Sequence, residues 1–145
     1  MTNPYRILVT GSRDWRDEEL IRHQLTRVWL TVDRPFVVVH GACPTGADWM
    51  ASDWAANMLE AEMGDVREEP HPAQNHPTED FGPWPEAGPR RNTHMVKLGA
   101  DLAFAFIGPC TSPRCRRPDP HPSHGASHCA HLAEAAGIPT KRYTA

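Results

Sequence analysis

The chain has 145 residues and a formal net charge of −3 at pH 7, from 15 Lys+Arg against 18 Asp+Glu. One domain is expected at this length, since domains typically span about 100–200 residues and such a chain buries enough apolar surface for a core. The slightly acidic charge argues against a general nucleic-acid-binding protein, which carries a strong basic excess. The sequence therefore predicts a single domain over residues 1–145 and makes nucleic acid an unexpected partner.

Hydropathy argues against a membrane protein. The mean hydropathy is −0.56, and no apolar run approaches the roughly 18 residues that a membrane span requires. Residues 1–4 lead into a strand-like segment without the pattern of a signal peptide. We therefore expect a cytoplasmic protein without membrane contact, and the apolar run 28–30 is compatible with a homodimer.

Short apolar runs alternate with helical patterns along the chain. Predicted strands are 5–10, 35–40, 102–107 and 138–143, with a less apolar candidate at 66–70. Predicted helices are 17–29, 46–62, 88–98 and 126–136. Alternating strands and helices favour parallel pairing through right-handed crossovers. The pattern therefore predicts a doubly wound α/β fold with a mostly parallel sheet and helices on both faces.

Proline is concentrated in one part of the sequence. Eleven of the fifteen prolines lie between residues 70 and 122. Such stretches interrupt strands and helices, because proline removes a backbone donor and fixes φ. We therefore predict two insertions rich in Pro, His or Cys, at 71–87 and 108–124, within the single domain.

Candidate ligand residues follow the predicted strands, because an open parallel sheet binds ligands beyond the carboxyl ends of its strands. The loop 11–13, Gly-Ser-Arg, offers a hydroxyl and a guanidinium to a phosphate, although a plain turn has the same composition. The loop 40–48 places two glycines ahead of a helix whose first N–H groups attract an anion. Asp48 in that helix either caps its N-terminus or reaches a ribose hydroxyl.

Two further helix starts carry polar residues. Arg90 and Arg91 suit bidentate contact with phosphate and Asn92 can read a base or ribose, the alternative being a solvated basic turn. Residues 123–127 form another glycine-containing turn before the last helix. The candidate ligand-binding residues are Gly11, Ser12, Arg13, Gly41, Ala42, Thr45, Gly46, Asp48, Arg90, Arg91, Asn92, Gly125 and Ser127.

Two tryptophans lie in predicted loops. Trp15 and Trp84 can each stack on a nucleobase or be exposed loop residues. Trp54 shares a helix face with Met50 and Met58, four residues away on either side, which predicts packing in the core.

Cysteine and histidine are concentrated in residues 110–131. Cys110 and Cys115 form a C-x4-C knuckle, and His121, His124 and Cys129 follow. Zinc takes four tetrahedral nitrogen and sulfur ligands, and Cys3His is a common structural set. We therefore predict a structural zinc held by the three cysteines and one of the two histidines. The alternative is a pair of free thiols on a flexible loop, with Cys129 as a small buried residue.

The loop motifs taken together resemble one family. In chain order they are Gly11-Ser12-Arg13, His40-Gly41-Ala42, Gly46-Ala47-Asp48, Trp54-Ala55 and Ala87-Gly88-Pro89-Arg90-Arg91-Asn92 with Met95, followed by Phe106 and Gly125. This order is similar to the YspA branch of the SLOG superfamily, which includes the LOG phosphoribohydrolases and the Rossmann-like domain of DprA. The resemblance implies a Rossmann-like domain of phage or actinobacterial type that binds a nucleoside monophosphate, ADP-ribose or an NAD-like ligand.

The resemblance leaves two other functions open. The first is hydrolysis of an N-glycosidic or phosphoanhydride bond, with Asp48 and Arg90 as the candidate catalytic residues. LOG enzymes carry a glutamate in their last phosphate loop, and Cys129 stands at that position here, which argues against their reaction. The second is a DprA-like accessory role in nucleic-acid processing, which the net charge of −3 disfavours.

Overall fold

The computed structural model describes residues 3–145. Within them, five strands alternate with four helices. The strands are β1 (Tyr5–Gly11), β2 (Phe36–His40), β3 (Val66–Pro70), β4 (Leu102–Ile107) and β5 (Thr140–Thr144). The helices are α1 (Glu18–Trp29), α2 (Gly46–Glu60), α3 (Ala87–Leu98) and α4 (His124–Ala135).

The predicted order of elements is confirmed, including the strand at 66–70. The last helix begins two residues earlier than predicted, at His124, and the last strand begins two residues later, at Thr140. The strand starts late because Ile138 lies in the turn that follows α4 and closes it, where its N–H donates to the carbonyl of Ala133 at 3.0 Å. None of the helices in residues 3–145 is long and apolar enough to cross a membrane.

All five strands pair in parallel in the order β3-β2-β1-β4-β5. Successive side chains of β1 point to opposite faces of the sheet. Ile7 and Val9 pack on the face covered by α1 and α2, whereas Leu8 packs on the face covered by α3 and α4. The chain therefore forms a Rossmann-like, doubly wound domain with helices on both faces, as predicted.

The core on the face of α1 and α2 contains two tryptophans. Trp54 is buried and donates its indole N–H to Thr26 Oγ1 at 3.1 Å, which confirms its predicted place in the core. Trp15 belongs to the same core, with its ring centroid 5.5 Å from that of Phe106. Since only 5% of Trp15 is exposed, its ring neither stacks on a base nor lies exposed in a loop, so both predictions for that residue are wrong.

The topological switch point lies between β1 and β4. The chain passes from β1 outward to β2 and β3, and then crosses to the other side of β1 to form β4. Open α/β sheets bind their ligands at such a point, beyond the carboxyl ends of the strands. The first insertion (residues 71–86) follows β3 and the second insertion (residues 108–123) follows β4. Because all strands are parallel, both insertions begin at the edge that holds the switch point.

The end of α1 exposes less apolar surface than the sequence predicts. Val28 and Trp29 are partly buried against the core, whereas Leu30 is 70% exposed. The apolar surface there is therefore mainly that of Leu30.

Candidate functional site

The floor of the switch point is a buried serine. Ser12 follows β1 directly and donates its N–H to the carbonyl of Phe106 on β4, at 2.9 Å. Its hydroxyl oxygen accepts the N–H of Gly108, the first residue after β4, at 2.8 Å. Ser12 is 3% exposed. The predicted ligand residue Ser12 therefore ties together the two loops that flank the switch point.

The loop after β1 packs directly on the start of α2. Gly46 has a φ of +71°, and a Cβ at this position would lie 2.2 Å from the carbonyl oxygen of Ser12. A Cβ on Gly11 would likewise lie only 2.3 Å from the Cβ of Ala47. Only glycine fits at either point, so Gly11 and Gly46 bring these two segments into contact.

The four helices differ at their N-termini, where backbone N–H groups need partners from outside the helix. In α1 the Asp17 carboxylate accepts the N–H of Leu20 at 3.1 Å. The residues that precede α2, α3 and α4 in the described chain are Thr45, Glu86 and Ser123, and none makes a capping hydrogen bond with its side chain. In α2 the carbonyl of Ser12 accepts the N–H of Ala47 at 3.3 Å, and in α3 the carbonyl of Pro83 accepts that of Ala87 at 3.1 Å. The first turn of α4 is therefore the one that is most open to a bound anion.

Arg91 has a structural role. Its Nη1 donates to the carbonyl of Gly41 at 2.6 Å and to that of His71 at 3.2 Å, and its Nε donates to Asn92 Oδ1 at 2.9 Å. Burial lowers the pKa of Arg91, and the nearby Asp48 opposes this shift. The guanidinium therefore joins the ends of β2 and β3, and the donors described here are directed at the protein itself rather than outward to a phosphate.

Asp48 is buried below the loop that follows β2. Its Oδ2 accepts the N–H of Cys43 at 3.3 Å, and only 7% of the residue is exposed. Burial raises the pKa of Asp48 above its ordinary range, although the charges of His40 and Arg91 act in the opposite direction. Asp48 was predicted to cap α2 or to reach a ribose hydroxyl. In the structure its carboxylate holds N–H groups of the loop that precedes α2 instead of those of the helix itself.

Three predicted residues remain exposed at the rim. The guanidinium carbon of Arg13 lies 5.3 Å from the centroid of the Trp84 ring, a cation–π distance. The Trp84 ring covers Gly88, where a Cβ would lie 2.9 Å from the ring. Arg90 is exposed and donates to the carbonyl of Phe81 at 3.2 Å. The first insertion thus places an aromatic face beside the loop after β1.

The first turn of α4 is open. Nothing lies within 4 Å of the position that a Cβ on Gly125 would take. Two residues further, the Ser127 hydroxyl is buried and has no hydrogen-bond partner among residues 3–145. An exposed glycine, an uncapped N-terminus and an unused hydroxyl therefore occur together in the helix that follows the second insertion.

Four metal-binding side chains converge where the second insertion meets α4. They are Cys110, Cys115, His121 and His124, and their ligand atoms all lie within 4.8 Å of one another. Cys115 Sγ lies 3.3 Å from Nε2 of each histidine, and these two nitrogens are 3.2 Å apart. Tetrahedral zinc places its nitrogen and sulfur ligands about 3.3–3.8 Å from one another. The spacing therefore fits a Cys2His2 metal site.

The protonation of the His121 ring also suits metal binding, because it leaves Nε2 free to act as a ligand. Its Nδ1 lies 2.6 Å from the carbonyl oxygen of Asp119, so Nδ1 carries the proton and donates it. The lone pair on Nε2 then faces the centre of the group. Histidine ligands of zinc commonly have such a hydrogen bond from the second ring nitrogen.

Cys129 does not belong to this group, which corrects the predicted ligand set. It is fully buried against Leu8 and Met95, and burial raises its pKa to about 11. His124 and Cys129 are five residues apart on α4, which at 3.6 residues per turn places them about 140° apart around the helix. The exposed His124 therefore faces the insertion while Cys129 faces the sheet.

A second histidine group was not found from the sequence. His71 and His76 of the first insertion lie together with His94 of α3. His71 Nε2 is 2.8 Å from Oε2 of Glu69, whose pKa falls to about 2 mainly because Arg6 hydrogen-bonds to it. The three histidines form no recognisable sequence motif, because they come from the end of β3, a loop and a helix. Only the fold brings them together.

These features define a Rossmann-like domain with an open helix N-terminus, that of α4, near its switch point. The model of the YspA, cpYpsA-related SLOG family matches residues 5–63, which include the loops after β1 and β2. The chain is also 37% identical over 134 residues to the "Gene 61 protein" of Mycobacterium phage D29, covering 92% of each protein. The chain belongs to the YspA, cpYpsA-related SLOG family. No solved structure is significantly similar to it.

Proposed function

We propose that the domain binds a nucleotide or a nucleotide-derived ligand, such as a nucleoside monophosphate, ADP-ribose or an NAD-like molecule, at the switch point. Membership of the SLOG family supports a nucleotide-related ligand. The observation that carries the proposal is the first turn of α4, whose N–H groups no side chain caps and whose surface at Gly125 is open. Such a turn suits a phosphate.

The neighbouring residues supply charge and an aromatic face. Arg13 is exposed at the end of β1, next to the switch point, and its guanidinium suits a phosphate oxygen. Trp84 is 42% exposed, and a base can stack on its ring where the Arg13 guanidinium now lies, once Arg13 turns to the phosphate. In this proposal Ser12, Asp48 and Arg91 hold the loops in place, while Arg13, Trp84 and the backbone of α4 at Gly125 contact the ligand, and Ser127 lies behind that turn.

Calorimetry tests the proposal with zinc-loaded protein and three ligands, namely AMP, ADP-ribose and NAD. Gly125→Ala is expected to weaken binding at least about tenfold, because the methyl group occupies the open surface where the phosphate approaches. Folding stability should be unchanged or rise by up to about 1 kcal/mol, since alanine is the better helix former. Folded protein that binds none of the three at millimolar concentration would contradict the proposal.

A matched pair of arginines provides the control. Arg13 and Arg16 are both exposed in the segment after β1, but Arg13 lies over the Trp84 ring. Arg13→Ala is expected to lower affinity, and Arg16→Ala to leave it unchanged. If chromatography shows that the bound ligand is cleaved, the domain is instead a hydrolase of that ligand.

We also propose that the Cys2His2 group holds a structural zinc ion. None of residues 109–123 is buried, so the second insertion has no core of its own. A metal supplies folding free energy in such segments. Because His124 is the first residue of α4, zinc would fix the insertion to the helix turn that is proposed to bind phosphate. Metal analysis should find about one zinc per chain, and Cys115→Ser should abolish it.

A further inference from the structure

The hydrogen bonds around His76 determine where its proton lies. Its Nδ1 accepts two backbone N–H groups, from Thr78 and Glu79, each at 3.2 Å. A backbone N–H can only donate, so Nδ1 of His76 has no proton in this arrangement. The proton of the neutral ring is therefore on Nε2, which lies 2.8 Å from Nδ1 of His71.

The same reasoning extends to His71. Its Nδ1 accepts the proton of His76, so its own proton is on Nε2, which donates to the Glu69 carboxylate at 2.8 Å. Glu69 is in turn paired with Arg6 through two contacts of 2.8 Å. The result is a one-directional chain of hydrogen bonds that joins the first insertion to β3 and β1.

This arrangement also bears on metal binding. The three imidazoles of His71, His76 and His94 are close enough to hold an ion. However, His76 directs an N–H, not a lone pair, at the centre of the group. A metal ion there would have to displace the hydrogen bond between His76 and His71, in contrast to the Cys2His2 group, where lone pairs already converge.

The chain of hydrogen bonds tolerates no additional proton. A proton added to His71 goes on Nδ1, where it meets the N–H of His76. A proton added to His76 goes on Nδ1, where it meets the N–H groups of Thr78 and Glu79. In either case two donors face each other, and a hydrogen bond of the chain is lost.

We propose that His71 and His76 form a pH-sensitive latch, which holds the first insertion closed at neutral pH and releases it when the pair takes up a proton. Whichever histidine takes the proton, one link between the insertion and β3 is lost. It is the bond between the two rings if the proton goes to His71, and the bonds from Thr78 and Glu79 to Nδ1 if it goes to His76. The other charged or titratable groups that face the pair are His94 on α3, Glu79 in the loop and Arg6 through Glu69. Arg91 contacts the backbone carbonyl of His71.

The direction in which the pKa of His76 is shifted agrees with such a latch. Burial, followed by repulsion from His71 and His94, lowers the pKa of His76, and Glu79 opposes the shift. A histidine whose pKa is lower in the folded state stabilises that state fully above its unfolded pKa of about 6.5. This stability is lost as the pH falls below that value towards the folded pKa.

Release of the latch would move residues of the candidate ligand site. Phe81 packs on the rings of His76 and His94, and its carbonyl accepts a hydrogen bond from Arg90. Trp84 lies three residues further along the same segment. Opening would therefore free Arg90 and shift Trp84 away from Arg13. This consequence for ligand binding rests on the proposed function, whereas the latch itself does not.

Nitrogen-15 NMR of the imidazoles and amide hydrogen exchange test the latch without any ligand. At about pH 7.5 His76 should carry its proton on Nε2, and on acidification to about pH 5.5 the ring nitrogens of the pair should show the uptake of a proton. Exchange at residues 77–84, corrected for the intrinsic pH dependence, should be about tenfold faster at the lower pH, as expected for one lost hydrogen bond. A chelator should not change this response, which separates it from the zinc site.

Three variants sharpen the test. His76→Asn keeps a side-chain acceptor for the turn but is too short to reach His71, so residues 77–84 should exchange fast at both pH values. His94→Phe keeps the aromatic packing, and His131→Gln changes an exposed histidine on α4; both should retain the pH response. The latch is overturned if wild-type exchange at 77–84 does not depend on pH, if His76 carries its proton on Nδ1 at neutral pH, or if the purified protein holds a metal that His94→Phe removes.

Discussion

The two insertions begin at the same edge of the sheet, but different chemistry fastens each one. Both contain histidines whose Nδ1 faces the backbone. In the second insertion, Nδ1 of His121 faces a carbonyl oxygen, which leaves a lone pair on Nε2 for a metal. In the first insertion, Nδ1 of His76 faces two N–H groups, which leaves a proton on Nε2 for a hydrogen bond. The backbone group beside the ring therefore decides which role a histidine has.

The two insertions also differ in what they bury. Ala73 and Phe81 of the first insertion form a small apolar cluster with Ala87. Residues 109–123 of the second insertion have no buried side chain. We therefore expect removal of zinc to affect only the second insertion, and disruption of the histidine chain to affect only the first.

Zinc removal is expected to have the largest effect. Free zinc at about 1,000 times its dissociation constant contributes about 4 kcal/mol to the free energy of unfolding. Chelation should therefore lower stability in urea unfolding by up to about this amount. Hydrogen exchange should rise in residues 108–127 and stay unchanged in residues 71–86.

Cysteine variants provide the control for that experiment. Cys115→Ser should reproduce the effect of chelation in buffer that contains zinc. Cys43 lies outside the group, with Sγ 3.9 Å from Thr45 Oγ1, so Cys43→Ser should keep both the zinc and the stability. A metal-free protein of equal stability, with an equally protected second insertion, would refute the zinc site.

Arg91→Lys should have the next largest effect. Lysine keeps the charge but cannot span the carbonyls of Gly41 and His71, so a cost of about 1–3 kcal/mol in the free energy of unfolding is expected. Exchange should rise in the first insertion and in the loop after β2. Arg90→Lys is the neighbouring control, since exposed Arg90 makes one bond of 3.2 Å to Phe81. Equal effects of the two variants would rule out the clamping role of Arg91.

Glu69→Gln should have a smaller effect, because the carboxylate is partly exposed to solvent. At neutral pH we expect a loss of about 1–2 kcal/mol, from weaker bonds to Arg6 and His71. The pKa of Glu69 is lowered from 4.5 to about 2, so its contribution is complete above pH 4.5 and is lost as the pH falls towards 2.

Denaturant unfolding between about pH 2 and pH 7 measures the difference in the free energy of unfolding between wild type and Glu69→Gln. This difference should shrink at the acidic end of the range. The exposed pair of Asp65 and Arg67 is the control, and Asp65→Asn should change stability little. A difference between wild type and Glu69→Gln that does not vary with pH would contradict the role given to the carboxylate.

The fold was predictable because most strands are short apolar runs that alternate with helical patterns. Even β3, with the polar sequence VREEP, was identified from its position, although only Val66 in it is buried. The helices on both faces followed from parallel pairing. The place of Trp15 was not predicted, because a tryptophan next to charged residues has the same local sequence whether it is buried or exposed.

The site was predictable only in part, because long-range contacts determine what each polar side chain does. The sequence indicates that Arg91 is at a helix start, but not that the carbonyls of Gly41 and His71 meet its guanidinium. The predicted helix began at residue 126, so the helical period that separates His124 from Cys129 became apparent only with the true start of α4 at His124. The group of His71, His76 and His94 depends on three separate segments, so no local pattern predicts it.

Amide shift mapping with AMP on zinc-loaded, nitrogen-15-labelled protein tests the proposed ligand site most directly. The largest shifts are expected for Ser12, Arg13 and Gly108, for residues 125–127 at the start of α4, and for the indole N–H of Trp84. Residues 18–29 of α1, whose N-terminus Asp17 already caps, should shift little. Shifts confined to other surfaces, or none at millimolar AMP, would contradict binding at the switch point.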